Sequence, residues 1–523
     1  MKSFVLLLLI SLSFTFSFAQ KSEKPNIIII LADDLGFSDL GCYGSEIHTP
    51  NLDELAKDGL KMTQFYNAGR CCPSRASLLT GLYPHQAGIG DMLQYKGSPA
   101  YQGYLSDNCV TIAQLLKEAG YATIISGKWH VGLDSSAWAC KRGFDKSFTL
   151  MNNGASYFNS EPLYNDGRKV TFMKDCHEVV REDTNYYLTQ EFTDFTVNAL
   201  EEQKNKDNPF FLYVAYNAPH WPIQAPQEDI EKYKKIYKKG WEKLRADRYQ
   251  KQVKIGLIKE EWKLSPKYSQ VPDWNSLSEK EKDNWSLRMA IYAAMIDRMD
   301  KGIGKIINKL KEINKDKNTI ILFLSDNGGS ADDVKNWNYV TQKSGLPGSI
   351  NSIDSYEIPW SNVSNTPFRL FKKNVHEGGI ATPFIAYFPR LIKSGTVDHQ
   401  LAHIMDLMPT CLELAGIKYP EEFYRKKLKP IEGISLLPVL QNKIRREQKI
   451  ICWEHEGSKA IRKGKWKLVL EYPQQNWELY DMEKDRTENN DLAENYPELV
   501  AELEKEYKSW SIKVGAEDWN RIK

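Results

Sequence analysis

Four stretches of this chain share one plan: an unbroken apolar run that ends directly in charged or amide-bearing residues. Ile27–Leu31 leads into Asp33-Asp34, and Tyr121–Ile125 leads into Lys128 and His130. Phe210–Val214 leads into Asn217 and His220, and Ile320–Leu324 into Asp326-Asn327. A run without alternation suits a strand covered on both faces, as in a parallel sheet flanked by helices. Helical periodicity lies between the runs. Val110–Glu118 carries Ile112, Leu115 and Leu116 and stops at Gly120. Ile291, Met295, Met299, Ile303, Ile306 and Leu310 form a stripe before the fourth run. This alternation predicts an open α/β sheet, whose ligands bind beyond the carboxyl ends of the strands. All four polar clusters fall at such ends, which nominates them as one site.

The rest of the chain reads differently. Between Pro222 and Leu287 lies a polar, Lys- and Trp-rich insertion. Its run Lys232–Lys239 has Ile230, Tyr233 and Tyr237 near one helical face, so the lysines read as a solvated side rather than an anion site. After about residue 440, Lys459–Arg462, a Lys463-Gly464 turn and Lys465–Leu470 predict a hairpin. Asn495 and Pro497 then start a terminal helix over Glu498–Trp510. A small antiparallel sheet with a packed helix is expected there. At 523 residues, one large domain plus a smaller one is the natural division. We therefore divide the chain into 1–19, 20–440 with an insertion over about 222–287, and 441–523.

Residues 1–19 have the marks of a cleaved secretory signal: Lys2, an apolar Phe4–Ile10 core, and small residues ending at Ala19. The apolar run is too short to span a bilayer. The expectation is an exported protein, periplasmic or secreted, with no stable membrane insertion. A net charge of +2 gives no reason to expect nucleic acid as a partner. The eight cysteines show no compact disulfide framework and no CxxC metal pair, so most read as small buried apolar residues.

Asp33, Asp34, Asp326 and Asn327 are hard oxygen donors suited to Ca²⁺ or Mg²⁺ rather than a soft metal. Asp33-Asp34 alone would more often cap a turn. The second acidic cluster at an equivalent strand end reverses that reading. Lys128 and His130, one residue apart after a strand, can share a cleft, and His220 sits in a comparable loop.

The run Cys71-Cys72-Pro73-Ser74-Arg75, continuing through Ala76-Ser77-Leu78-Leu79-Thr80-Gly81, resembles the signature of the type I sulfatases. In that family the first cysteine is oxidised to formylglycine. Leu31–Gly36, Gly127–Gly132, Ala218-Pro219-His220, Ser325–Gly328 and Glu377-Gly378-Gly379 follow in the family's order. The resemblance to formylglycine-dependent sulfatases of the alkaline-phosphatase superfamily covers nearly the whole chain beyond the signal. It implies a large mixed, mostly parallel sheet sandwiched by helices, with a small C-terminal subdomain.

The resemblance also implies roles. Asp33, Asp34, Asp326 and Asn327 would hold one Ca²⁺ that also contacts residue 71. Arg75 would steady that residue. Lys128, His130, His220 and Lys372 would surround the sulfate and the leaving oxygen. One hydroxyl of the hydrated aldehyde would attack sulfur, with His220 protonating the departing oxygen and His130 acting afterwards as base. Lys373 competes with Lys372, because Leu370-Phe371 replaces residues that are commonly glycine. His376 stands where an aromatic residue is usual and either faces substrate or is structural. His455 is a candidate substrate contact, or else belongs to an edge strand with exposed charges. The implied partners are a sulfated saccharide, favoured by the Trp and Tyr content, and a formylglycine-generating maturation enzyme. A formylglycine-dependent phosphodiesterase or phosphonate monoester hydrolase is the second reading, and a non-catalytic glycan-binding protein the third. A vicinal Cys71–Cys72 disulfide is the competing use of the signature.

Overall fold

The computed structural model describes residues 23–180, 186–341, 343, 345–446 and 450–523; the expected signal segment lies outside them. Its strands are β1 (Asn26–Ala32), β2 (Leu60–Tyr66), β3 (Ala122–Lys128), β4 (Lys146–Leu150), β5 (Phe172–Lys174), β6 (His177–Val179), β7 (Phe210–Ala215), β8 (Thr319–Ser325), β9 (Ala381–Tyr387), β10 (Thr396–Asp398) and β11 (Ala402–His403). They form one sheet in the order β10-β2-β9-β8-β1-β7-β3-β4-β5-β6, with β11 also on β2. The centre, β8-β1-β7-β3-β4, is parallel, and antiparallel pairs join β9 to β8 and to β2.

The four apolar runs are the four central strands. Ile28 and Ile30 feed one core, while Ile27, Ile29 and Leu31 feed the other. Burial on both faces is why these strands show no alternation. The long helix Glu279–Glu312 packs on the first face beside the helix Leu188–Glu201. Ser278 and Glu281 form its capping box. The helices Cys71–Thr80, Ile112–Glu118 and Leu407–Leu414 cover the second face.

A four-stranded antiparallel sheet, β14 (Ile451–His455), β15 (Ser458–Lys463), β16 (Trp466–Leu470) and β17 (Glu478–Asp481), ends the chain, after a short β12 (Glu422–Phe423) and β13 (Lys426–Lys427) hairpin. The helix Pro497–Val514 packs on it through Leu503, Tyr507, Trp510 and Val514.

Three features depart from the expectations. The lysine run is not one continuous helix: a short helix, Gln227–Ile230, is followed by turns and a 3-10 segment, Tyr237–Lys239. The predicted facing survives, with Ile230, Tyr233 and Tyr237 buried. The Tyr233 hydroxyl accepts from His48 N (3.2 Å) and donates to Asp297 (3.1 Å), so tertiary contacts override the local pattern. The stretch read as a polar insertion supplies Trp241, Leu244, Leu257, Ile258, Trp262, Val271 and Trp274 to the main core. Their spacing follows no single period, which hides them from a periodicity reading. Finally, Cys140 and Cys176 form a disulfide, with Cα atoms 5.7 Å apart. Cys71 and Cys72 are free thiols, so the vicinal disulfide is absent.

Candidate active site

The carboxyl ends of β1, β8, β7 and β3 meet at one place. Asp33 N donates to Ala218 O (3.0 Å) and Asp326 N to Ala32 O (3.2 Å), extending the ladder just far enough to align the loops. Asp34 then takes a left-handed conformation (φ 68°), tolerable for a short polar side chain. His130 does the same beyond β3 (φ 53°). The helix Cys71–Thr80 points its first turn at these loops, with all ten residues buried. Pro73 sits in that first turn, where a missing N–H costs nothing.

The side chains interlock. Arg75 donates through Nε (3.0 Å) and Nη2 (2.7 Å) to Asp326 Oδ2, and through Nη1 to Lys128 O (2.9 Å). Lys128 Nζ lies 2.6 Å from Asp33 Oδ2. Lys372 Nζ lies 2.6 Å from Asp34 Oδ1, fully inside the site, whereas Lys373 is half-buried and pairs with Asp332 at 3.2 Å. Asn327 Nδ2 donates to Asp34 Oδ1 (2.7 Å). His220 Nε2 is 3.6 Å from Asp34 Oδ2, and its Nδ1 is 2.6 Å from Trp221 O. A carbonyl only accepts, so Nδ1 carries the proton and Nε2 presents a lone pair. Ligand atoms of Cys71, Cys72 and His130 lie within 4.8 Å of one another.

Electrostatics follow from dense, buried charge. Burial opposes ionisation of both Asp33 and Asp326. Lys128, His220 and Arg75 outweigh burial at Asp33 and hold it below the usual carboxylate range. At Asp326, burial and the neighbouring Asp33 charge win over Arg75 and push the carboxyl up. Burial brings His130 down to about 4, with Lys128 adding to the effect against the Cys71 sulfur. His220 is lowered by burial as well, against the pull of Asp34. Both imidazoles are therefore neutral bases near pH 7.

The remaining predicted residues lie elsewhere. His376 is clamped by Glu478 (2.9 Å) and Glu471 (3.3 Å), close to the C-terminal sheet, rather than among the residues above. An imidazole held between two carboxylates fits the structural one of its two readings. β14 is the edge strand of its sheet, as one reading has it, but Glu454 and His455 on it are buried rather than exposed.

Asn153 was missed. Its Oδ1 accepts from Lys128 Nζ (3.5 Å) and lies 4.0 Å from Cys71 Sγ. It follows β4, another parallel strand, but Ser147-Phe148-Thr149-Leu150 is too short and too mixed to announce itself. Asp332 was missed as well; it is only slightly exposed, accepting from Trp221 Nε1 (3.3 Å).

This geometry agrees with what known proteins share with the chain. A family model described as Sulfatase matches residues 25–417. The chain belongs to the sulfatase family. A second model, N-sulphoglucosamine sulphohydrolase, C-terminal, matches residues 367–513 of this sulfatase. An uncharacterized sulfatase of Schizosaccharomyces pombe is 35% identical, covering 93% of each chain. The arylsulfatase of Klebsiella aerogenes is 34% identical over 82% of this chain and 94% of its own. The crystal structure of Ps i-CgsB in complex with k-i-k-neocarrahexaose superposes with a TM-score of 0.68 at 29% identity, covering 93% of both chains. The enzyme is thus a sulfuric ester hydrolase of the alkaline-phosphatase superfamily, built on a mixed, mostly parallel sheet with a small C-terminal sheet.

Family membership implies a divalent cation and a formylglycine, and the oxygen donors fit the cation. Asp33 Oδ1 and Asn327 Oδ1 are buried acceptors without a hydrogen-bond partner, an expensive state that a hard cation relieves. Asp33, Asp34 and His220 bring ligand atoms within 4.8 Å of one another.

Proposed function

We propose that this sulfatase removes sulfate from a carbohydrate, with Cys71 matured to formylglycine and one Ca²⁺ held by Asp33, Asp34, Asp326, Asn327 and residue 71. The observation that carries the reading is the meeting of two orphaned buried oxygens, three buried cations and residue 71 at one strand-end cluster. Carbohydrate is favoured by the relative solved with a carrahexaose and by the N-acetylgalactosamine-6-sulfatase of Mus musculus, 28% identical over 88% of this chain and 75% of its own. Mg²⁺ would satisfy the same donors. We further propose export to the periplasm or beyond after removal of residues 1–19, maturation by a formylglycine-generating enzyme, and a catalytic region over 20–440 with a C-terminal subdomain over 441–523.

When bound, the cation neutralises sulfate charge, and the hydrated aldehyde of residue 71 supplies a hydroxyl nucleophile. The chain's own residues do the rest. Lys128 and Lys372 balance the charge spread over the sulfate oxygens. Arg75, tied to Asp326 and to the Lys128 carbonyl, keeps residue 71 in place. His220 holds its Nδ1 proton on Trp221 O, so it donates to the leaving oxygen from Nε2 after taking up a proton there, with Asp34 beside it to favour that state. His130, neutral and next to residue 71, takes the proton from that residue's remaining hydroxyl as the carbon–oxygen bond to the sulfate breaks, so that sulfate leaves and the aldehyde is free to take up water for the next turnover.

The deciding experiment is the mass of the tryptic peptide Cys71–Arg75 from the exported fraction of the native host. Aldehyde or hydrate is the expected result. An unmodified thiol in all of the exported protein would sink the mechanism and favour a binding protein. A panel of sulfated saccharides, phosphodiesters and phosphonate monoesters then separates sulfate from phosphate chemistry. Sulfate is expected to win because Asn327, an amide, stands where a second metal would call for a histidine or carboxylate.

A further inference from the structure

Beside the active site lies a second group of polar residues, among them the candidate substrate contact His455. Arg70, the residue before Cys71, reaches Glu456 Oε1 at 3.3 Å. Ligand atoms of Asp91, His455 and Glu456 lie within 4.8 Å of one another. His455 is fully buried, yet neither ring nitrogen has a hydrogen-bond partner. Asp91 Oδ1 and Arg70 Nε are buried and unpartnered too. Four such atoms in one place are rare in a folded protein and cost roughly 1–3 kcal/mol each unless something binds them. Glu456, 36% exposed along its side chain, is the member of the cluster that reaches solvent.

Charge decides what that ligand is. Glu456 is met by Arg70, and Asp91 is met by Lys96 at 3.5 Å, so both carboxylates already have a cation. Burial holds the His455 imidazole in its neutral form. A metal ion would have to displace those cations, and an anion would meet the two carboxylates. A neutral group that both donates and accepts is the best match, and hydroxyls do this. The carboxylate accepts from one hydroxyl, the guanidinium Nε donates to an oxygen, and each imidazole nitrogen does one or the other.

We propose that Arg70, Asp91, His455 and Glu456 form a subsite that binds two neighbouring free hydroxyls of the sugar ring carrying the scissile sulfate. This rests on the carbohydrate reading above and deepens it. Because these unpartnered atoms are buried, a hydroxyl bearing another sugar or a second sulfate would clash and leave them unpaired. The enzyme therefore acts on a terminal ring with those hydroxyls unsubstituted, in an exo fashion.

The test compares the matured wild-type enzyme with Asp91→Asn and His455→Gln, using 4-nitrophenyl sulfate and the best sulfated sugar from a defined panel. Thermal unfolding verifies that each variant is folded. Expected is a drop in kcat/KM of about 100-fold or more on the sugar and of less than about tenfold on 4-nitrophenyl sulfate. The wild type should likewise lose about 100-fold on the same sugar with a hydroxyl next to the sulfate O-methylated. Equal losses on both substrates, or full activity on every O-methylated sugar, overturn the subsite alone. A wild type that cleaves 4-nitrophenyl sulfate but no sugar overturns the carbohydrate reading and the subsite with it.

Discussion

Lys372 and Lys373 show how much a single side chain's depth matters. Adjacent in sequence, they diverge because Leu370 (φ 65°) and Lys373 (φ 82°) turn the backbone through left-handed conformations. Lys372 goes down to Asp34, and Lys373 out to Asp332. Lys372→Ala should lower kcat/KM for sulfate release by about 100-fold or more, since a buried cation facing developing charge is removed. Lys373→Ala should cost less than about tenfold. The reverse ranking in steady-state kinetics would reassign the sulfate ligand. At this scale the site was largely legible. Asp33, Asp34, Lys128, His130, His220, Asp326 and Asn327 each end a long apolar run, and residue type plus position suffices to group them. Asn153 was not legible because its strand is short, and Asp332 because nothing in a loop sequence says which carboxylate will be buried.

At the level of elements, the loops bearing metal-type ligands depend on the C-terminal sheet. Gly328 follows Asp326-Asn327, and a Cβ there would strike Gly378 O. Gly378 and Gly379 lie in turn on the carbonyls of Arg369 and Phe371, just before Lys372. Their neighbour Glu377 is anchored by Lys467 (3.0 Å) and Arg486 (3.0 Å), with Glu488 on Lys467 at 2.8 Å, all fully buried. Breaking a buried pair on one side costs roughly 3–5 kcal/mol. Lys467→Met should therefore destabilise by about that amount, and should lower kcat because the Asp326 and Lys372 loops lose their support. Denaturant titration with kinetics on the folded variant checks this, and unchanged kcat would uncouple the sheet from the site. Such a network ties Glu377 to residues 90 and 109 positions away, which no local pattern announces. By contrast, the Lys463-Gly464 hairpin could be read directly, because turn chemistry is local.

His376 makes the same junction sensitive to pH. Burial opposes its charge, but Glu488, Glu471 and Glu478 outweigh it and raise its pKa to about 9. Glu478 is correspondingly brought down to about 2, so both partners describe a charged pair. A cation whose folded pKa is raised contributes stability that is full below about 6.5 and lost as pH rises through about 9. At about 1.4 kcal/mol per pH unit, that interval of about 2.5 units corresponds to at most roughly 3–4 kcal/mol. His376→Gln should flatten the fall in stability between these limits. Parallel pH–stability curves for both proteins would remove His376 from the account.

For the whole molecule, the sharpest consequence comes from the cation site proposed at the centre of the fold. Its donors come from the ends of β1 and β8, the two strands that pair along their full lengths in the middle of the sheet. A ligand bound there is bound only by the folded state, so it must raise the unfolding temperature by mass action. At 100 times its dissociation constant the gain is about 2.7 kcal/mol. Unfolding entropy of about 2 cal/mol/K per residue makes roughly 1 kcal/mol/K for a chain of this size, so the shift is small, about 2–3 °C. The protein stripped with EDTA should melt lower by that amount and recover with Ca²⁺. Asp33→Asn and Asp326→Asn should abolish the recovery without needing any substrate turnover. Recovery with Mg²⁺ alone would change the ion but keep the site. A melting temperature indifferent to both ions in the wild type would leave the orphaned Asp33 and Asn327 oxygens without their proposed partner.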